Sequence, residues 1–323
     1  MKAKKTGSEL FFLRTSLLKK IILTPFFCFI FMCGCQQQKL YKSARVMMGT
    51  FVEVVSPDSN AAGIVFKEFQ RIEDLLSKYK PKSEVSRLNA NGSIKASPET
   101  FYIIKRSKEF WEASGGAFDI TVAPLVDLWG FTDKKYAVPP AEKIKEALAR
   151  VGSDKILLHD DSNVVEFKNS AMEIDLGGIA KGFALDCAVR KLREAGIKSC
   201  LLNAGGQVFA LGDRSGKSWR VALAEPRTRG FSGYVEIKDQ SASTSGDYEQ
   251  YFIKGNKRYS HILDPRTGFP AASGVISATV IAPEGAAADA LSTAVFVLGK
   301  TKGRELLKRF PGVEATIIEE KDI

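Results

Sequence analysis

Three oxygen-bearing side chains lie close together in an apolar stretch near the C-terminus. Asp289, Ser292 and Thr293 occur within Ala286–Phe296, which otherwise consists of Ala, Leu, Val and Phe. In a helix, positions i, i+3 and i+4 share one face, so the carboxylate and both hydroxyls would point the same way. Such oxygens suit Mg²⁺, which combines a few protein ligands with phosphates and water. An Asp cap with hydroxyls bonded back to helix carbonyls is the alternative interpretation.

A glycine-rich segment, Asp175–Gly182, precedes a helix that is predicted to reach about Ala195. Lys181 lies in the first turn of this helix, where the helix dipole disfavours a cation by up to about 1 kcal/mol. A bound anion would remove that penalty, and the glycines would let the backbone approach a phosphate closely. The segment is neither a P-loop, because Gly-Lys-Ser/Thr is absent from it, nor a dinucleotide fingerprint, because its glycine spacing differs. A plain turn with Lys181 in solvent is the alternative.

His261 is the candidate for proton transfer. It lies in Tyr259–Pro270, where a predicted strand gives way to a turn rich in Asp, Pro and Gly. Imidazole is the usual group that removes a hydroxyl proton near neutral pH. An ordinary turn histidine is the alternative, and we assign no function to His159, which lies in a polar turn.

Three further places combine turn residues with polar or aromatic side chains. They are Met48–Thr50 at the first predicted strand, Tyr79 at the end of the first predicted helix, and Ala117–Asp119 after a double glycine. An aromatic ring such as that of Tyr79 could stack on a flavin or an adenine. Each of the three fits a core or capping role equally well.

Apolar periodicity and turn residues predict the elements that position these side chains. Predicted helices cover 64–79, 98–113, 139–150, a stretch up to 195 and a pair within 284–309. Predicted strands cover 45–56, two short segments flanking the turn 159–163, residues 200–203 and much of the sequence up to 281, with a polar loop at 89–92. This mixed order favours an α+β fold over a doubly wound parallel sheet.

The first 34 residues are typical of a signal peptide. Basic residues precede an apolar run, Ile21–Cys33, that is shorter than the roughly 20 residues needed to span a bilayer. The following Met32–Cys35 resembles a lipobox, which predicts a lipid on Cys35, a tether at 35–43 and a folded domain at 44–323. A signal cut elsewhere, with Cys35 as a free thiol, is the alternative.

Charge and cysteine usage narrow the functional classes. Segment 1–34 contains six basic residues and one acidic residue, so it accounts for half of the formal net charge of +10. The remainder has no basic block, which argues against nucleic-acid binding. Cys187 and Cys200 lie in apolar segments and are predicted to be buried thiols, with a single disulfide as the alternative.

Taken in order, seven motifs resemble the ApbE family, the FAD:protein FMN transferases. They are Met48–Thr50, Gly116–Asp119, Asp175–Gly182, Asn203–Gly206, Thr244–Asp247, His261–Gly268 and Ala288–Thr293. Because seven ordered motifs are far more specific than any one of them, the resemblance favours the functional interpretation at each site. It implies an α+β fold related to tandem T-fold units, with mixed helices and a largely antiparallel sheet.

The resemblance also implies roles for individual residues. The catalytic residues would be His261, as the base, and Asp289. The metal ligands would be the Gly178 carbonyl, Asp289, Ser292 and Thr293. The FAD site would be lined by Met48, Tyr79, Ala117, Phe118, Asp119, Asp175, Lys181 and Leu263.

The implied reaction is a Mg²⁺-dependent transfer of FMN from FAD to a Thr or Ser hydroxyl of a target flavoprotein, with release of AMP. The acceptors would be membrane-associated redox subunits of the Rnf or Nqr type. The protein would be lipid-anchored in the cell envelope and face the periplasm. Two alternatives stay open, namely a Mg²⁺-dependent FAD pyrophosphatase that uses water, and a flavin-binding lipoprotein without activity.

Overall fold

The structure is a computed structural model that describes residues 39–228 and 230–322. The predicted signal peptide and Cys35 lie outside the described residues. The α-helices of the described part are α1 (Ala61–Leu76), α2 (Glu84–Asn91), α3 (Pro98–Ser114), α4 (Ala123–Leu128), α5 (Ala141–Leu148), α6 (Ala180–Glu194), α7 (Gly285–Leu298) and α8 (Lys300–Leu307). Its strands are β1 (Tyr41–Met47), β2 (Thr50–Ser56), β3 (Ser93–Lys95), β4 (Ile156–His159), β5 (Val164–Phe167), β6 (Cys200–Ala204), β7 (Gln207–Leu211), β8 (Trp219–Ala224), β9 (Phe231–Ile237), β10 (Gln240–Gly246), β11 (Tyr251–Lys254), β12 (Lys257–Ser260), β13 (Val275–Ala282) and β14 (Glu314–Glu319).

A seven-stranded sheet organises the fold, in the order β1-β2-β6-β7-β10-β13-β14. Every neighbouring pair in it is antiparallel. The predicted α+β class with a largely antiparallel sheet is therefore confirmed. Strand β1 begins at Tyr41, inside the segment predicted as a tether.

Helices α1, α6 and α7 pack together against one face of this sheet. Helix α1 buries Val65, Phe69, Ile72 and Leu76, whose spacing of three and four residues forms one apolar stripe. Helix α7 is buried almost all round, which explains its uniformly small and apolar sequence. The opposite face of the sheet is partly covered by the β8–β9 ribbon through Trp219 and its neighbours.

Two smaller layers complete the described part. Strands β3, β5 and β4 form a three-stranded sheet, and β11 pairs with β12. Helices α4 and α5 pack with the β11–β12 pair around Trp129, which is fully buried and donates its indole N–H to the Gly268 carbonyl at 2.8 Å. This cluster holds the turn that follows His261.

Two predicted elements were wrong in part. The single strand at 45–56 is a hairpin of β1 and β2, because Met48 and Gly49 adopt positive φ angles of 49° and 73° and reverse the chain. Residues 89–91 of the predicted polar loop belong to α2, which Ser83 caps by accepting from the Ser86 amide, and Gly92 ends the helix. Helix α2 buries two residues only, so its apolar period was too short to detect.

Other predictions agree with the structure. The predicted helices at 98–113, 139–150 and up to 195, and the C-terminal pair, correspond to α3, α5, α6, α7 and α8. Cys187 and Cys200 are buried free thiols, so the disulfide alternative is wrong. Strand β14 was not predicted. Among the described helices, we find none whose length and apolar content would allow it to cross a membrane.

Candidate active site

A cavity of about 320 Å³ lies where the N-terminal ends of α6 and α7 meet strand β10 and the His261 turn. It brings together most of the residues predicted from the sequence. The predicted residues on its wall are Tyr79, Ala117, Phe118, Asp119, Asp175, Gly178, Lys181, His261, Leu263, Asp289 and Thr293.

Two predicted site residues lie elsewhere. Met48 is in the β1–β2 turn and packs, partly buried, against the main core. Ser292 is fully buried behind the cavity wall, where its hydroxyl lies 2.8 Å from that of Ser245 and donates to the Asp289 carbonyl at 2.9 Å. The helical spacing that grouped Ser292 with Asp289 therefore does not place both side chains on the cavity wall.

A larger concavity of about 1380 Å³ lies between α1, α3 and α6. It contains none of the predicted site residues, and several of its ionic side chains pair with each other. Arg71, for example, contacts both Glu68 and Glu99. We therefore place the chemistry in the smaller cavity.

Asp289 is the central carboxylate of this smaller cavity. Its side chain is 5% exposed, accepts a hydrogen bond from the Gly182 amide at 3.2 Å and lies 3.8 Å from the Lys181 ammonium. The Ser243 hydroxyl is 3.4 Å from its other oxygen. Burial raises the pKa of Asp289, and Lys181 and the Gly182 amide oppose that rise. A buried carboxylate with so few neutralising partners is suited to a cation.

The oxygens around Asp289 fit a magnesium ion. A Cβ built on Gly178 would lie 3.7 Å from the Thr293 hydroxyl, so the Gly178 backbone and Thr293 are neighbours. No group of three or more His, Cys, Asp or Glu side chains arranged for a metal occurs in residues 39–228 and 230–322. A cation here would depend on one carboxylate, a hydroxyl, a backbone carbonyl and ligand oxygens, which is the set that Mg²⁺ accepts.

His261 is held in one tautomer. Its Nδ1 lies 3.0 Å from the Gln250 carbonyl, which can only accept, so Nδ1 carries the proton and Nε2 is left with a lone pair. The His261 amide donates to the same carbonyl at 2.9 Å. Burial is the main reason that the pKa of His261 falls to about 4; the hydrogen bond to the Gln250 carbonyl opposes the fall, and the charge of Lys181 adds to it. The imidazole is therefore neutral at physiological pH.

Lys78, which sequence reasoning missed, anchors Asp175. Its side chain is 8% exposed, and its ammonium lies 3.1 Å from Asp175 and 3.2 Å from Asp127. Burial alone would lower the pKa of Lys78, but the two carboxylates outweigh it and the pKa is raised. In the sequence, Lys78 resembles an ordinary cation after the end of a helix. Asp175 also accepts from the Gly177 amide at 2.8 Å, which fixes the glycine-rich segment.

Asp119 has its carboxylate occupied by the protein itself. It accepts from the amides of Thr121 and Ser153 at 2.8 and 3.1 Å and from their hydroxyls at 2.6 and 2.7 Å. Burial raises the pKa of Asp119, and these four hydrogen bonds oppose the rise. Asp119 thus ties its part of the cavity wall to the neighbouring segment that contains Ser153.

Several polar residues of the wall were not among the predicted site residues, including Gln207, Ser243, Ser245, Glu249 and Gln250. The serines could have been found, because Ser245 lies in the Thr244–Asp247 motif and alternate residues of a strand, such as Ser243 and Ser245, face one side. Glu249 is exposed, but the surrounding protein still desolvates its carboxyl and raises its pKa to about 7, with Lys181 lowering it and Asp289 raising it. Nothing in the local sequence marked Gln207.

Comparisons with known proteins agree with the motifs. Residues 48–317 match the ApbE family. The chain is 35% identical to the FAD:protein FMN transferase of Treponema pallidum, over 92% of this chain and 90% of the relative. It is 32% identical to that of Klebsiella pneumoniae, over 87% of this chain and 89% of the relative.

Solved structures show the same likeness. The ApbE protein of Thermotoga maritima matches with a TM-score of 0.81 and 36% identity, over 88% of this chain and 95% of that one. The flavin transferase ApbE of Vibrio cholerae matches with a TM-score of 0.79 and 28% identity, over 88% and 94% of the two chains. The fold, the ordered motifs and these relatives together show that the chain belongs to the ApbE family.

Proposed function

We propose that this protein is a Mg²⁺-dependent FAD:protein FMN transferase. The observation that carries the proposal is the meeting, in one cavity, of a cation-binding carboxylate, a lysine for phosphate and a neutral histidine. These are Asp289, Lys181 and His261. Simple flavin binding requires neither a base nor a metal site, so the arrangement supports an enzyme.

The cavity wall offers contacts that match the phosphates and an aromatic ring of FAD. Lys181 lies in the first turn of α6, where its charge and the helix N-terminus both favour a phosphate. Tyr79 is 65% exposed and offers an aromatic ring for stacking against a ring of FAD. The Lys78 ammonium lies 5.4 Å from the centre of that ring and holds positive charge close to this part of the cavity.

The metal would be held by Asp289, Thr293 and the Gly178 carbonyl. A Mg²⁺ ion bound there would neutralise negative charge on the pyrophosphate as a Lewis acid. Ser292, which was predicted as a further ligand, is engaged with Ser245 and contributes by holding the cavity wall in place.

The reaction is a displacement at phosphorus. The hydroxyl oxygen of an acceptor Thr or Ser forms a bond to the FMN-side phosphorus of FAD, and the bond from that phosphorus to the bridging oxygen breaks. AMP leaves with the electron pair of the broken bond. The hydroxyl proton passes to Nε2 of His261, and Lys181 stabilises the charge that develops on the phosphates.

The test is to combine the purified protein with FAD, Mg²⁺ and a candidate acceptor domain, and to record intact masses and AMP. We expect a mass gain equal to phosphoester-linked FMN, with AMP released, and both lost with EDTA or in Asp289→Ala. The control is Asp160→Ala, which removes an exposed carboxylate from the β4–β5 turn. Free FMN without an adduct would favour the pyrophosphatase, and full activity of Asp289→Ala would refute the metal assignment.

We also propose that a lipid on Cys35 holds the domain at a membrane of the cell envelope, facing the periplasm. The support is the Met32–Cys35 motif after a signal-like segment. Acceptors would then be redox subunits of the Rnf or Nqr type, since these would be held at the same membrane.

A further inference from the structure

Gln207, the first residue of β7, has a buried acceptor without a partner. The residue is 2% exposed and lies on the wall of the active-site cavity. Its Nε2 donates to the Gly285 carbonyl at 2.9 Å, which fixes the orientation of the amide. The Oε1 atom is buried and receives no hydrogen bond from any described residue.

An unsatisfied buried acceptor is costly, because it has lost its hydrogen bonds to water and gained none in the protein. The amide cannot turn to relieve this cost, because a reversed amide would place its oxygen against the Gly285 carbonyl. Since the described residues supply no donor to Oε1, the donor is expected from whatever fills the cavity. Gln207 therefore combines a structural contact to Gly285 with an unfilled acceptor on a residue that lines the cavity.

The position of Gln207 ties it to the proposed metal site. Gly285, which its Nε2 contacts, precedes Asp289 by about one turn of α7. Gly182 lies against Gly285, because a Cβ at Gly182 would be 2.1 Å from the Gly285 oxygen. The Gly182 amide in turn donates to Asp289. Gln207 and Asp289 are thus held on the same wall through one rigid set of contacts.

We propose that Gln207 Oε1 accepts a hydrogen bond from a water molecule bound to the proposed Mg²⁺, so that Gln207 is a positioning residue for the metal. This inference rests on the proposed function. Mg²⁺ in proteins keeps several of its waters, and a metal-bound water is a strong donor that needs an acceptor. A neutral amide oxygen supplies one without adding a second buried charge beside Asp289.

The test is a titration of the full chain with Mn²⁺ alone, with free Mn²⁺ followed by electron paramagnetic resonance. Gln207→Leu removes the acceptor, and we expect Mn²⁺ to bind roughly 10–100-fold more weakly, as is typical when such an outer contact is lost. Gln207→Glu keeps an oxygen at this position and is expected to retain affinity within a few fold. Gln240→Leu, on β10 and outside the cavity wall, is the matched control and is expected to bind normally.

Thermal unfolding in EDTA separates a folding defect from a metal defect. The proposal expects Gln207→Leu to fold but to gain less thermal stability than the unmodified protein when Mn²⁺ is added. Equal losses of Mn²⁺ affinity in Gln207→Leu and Gln207→Glu would show that only the contact to Gly285 matters and would overturn the proposal. Normal Mn²⁺ affinity in Gln207→Leu, combined with weaker FAD binding, would also overturn the proposal, because the donor to Oε1 would then belong to FAD.

Asp289→Ala distinguishes this inference from the proposed function. Loss of Mn²⁺ binding in Asp289→Ala, with normal binding in Gln207→Leu, would overturn the role of Gln207 and leave the metal site standing. Unchanged binding in Asp289→Ala, or no binding to the unmodified protein, would overturn the metal site and this inference with it.

Discussion

The contact between α6 and α7 provides a sharp test of how the site is assembled. Gly182 is the third residue of α6, and a Cβ there would lie 2.1 Å from the Gly285 oxygen and 2.7 Å from the Ala286 nitrogen. Both neighbours are backbone atoms, so neither can move away by changing a rotamer. Gly182→Ala must therefore push the N-terminal ends of two packed helices apart.

Gly63 supplies a matched control, because it is the third residue of α1 and a Cβ there would meet nothing within 4 Å. Replacing a helical glycine by alanine stabilises by about 0.5–1 kcal/mol where there is room. Overpacking typically costs about 1–3 kcal/mol. The two variants should therefore differ by about 1.5–4 kcal/mol in the free energy of unfolding, or roughly 3–7 °C in Tm for a domain of this size.

The assay is thermal unfolding of both variants beside the unmodified protein, followed by FAD turnover with Mg²⁺. We expect Gly182→Ala to melt lowest and to lose activity, because the Gly182 amide holds Asp289 and the preceding residue, Lys181, lies close to the same carboxylate. Gly63→Ala should melt at or above the unmodified protein and stay active. Equal stability and activity of the two variants would refute the argument that this close approach positions the site.

Three further predictions test other parts of the molecule. The pKa of His261 falls from 6.5 to about 4 on folding, so the unfolded chain binds the proton more readily and stability should drop as pH falls from about 6.5 to 4. This contribution is at most about 3 kcal/mol. Urea unfolding at both pH values should show the drop in stability in the unmodified protein and not in His261→Asn. Lys78→Met should destabilise the protein by about 1–3 kcal/mol, because it leaves Asp175 and Asp127 without their shared cation. Adding Asp175→Asn to this variant should recover part of the lost stability. If urea unfolding shows that the losses of the two single variants simply add, the coupling between Lys78 and Asp175 is contradicted. Cys35→Ser should release the protein from membranes on cell fractionation, and continued membrane association would count against lipidation.

Local sequence was sufficient for the chemistry-bearing motifs and most helices. Helix α3 was predictable because Ser97 caps it, Pro98 begins it and Gly115 ends it with a φ of 61°. Asp289 and Thr293 were predictable as a pair because helical spacing relates residues four apart. These features depend on a few neighbouring residues, so they can be read without knowing the fold.

Sequence and tertiary structure thus determined different parts of this protein. The sequence by itself determined the family motifs, the α+β class and the candidate residues, because motif order and apolar period are local properties. Only the tertiary structure decided that Ser292 lies behind the wall, that Lys78 anchors Asp175 and that Gln207 faces the cavity. Each of these depends on a partner distant in sequence, such as Ser245 for Ser292 or Gly285 for Gln207. Such contacts are fixed by how α6, α7 and the sheet pack together, which local patterns do not specify.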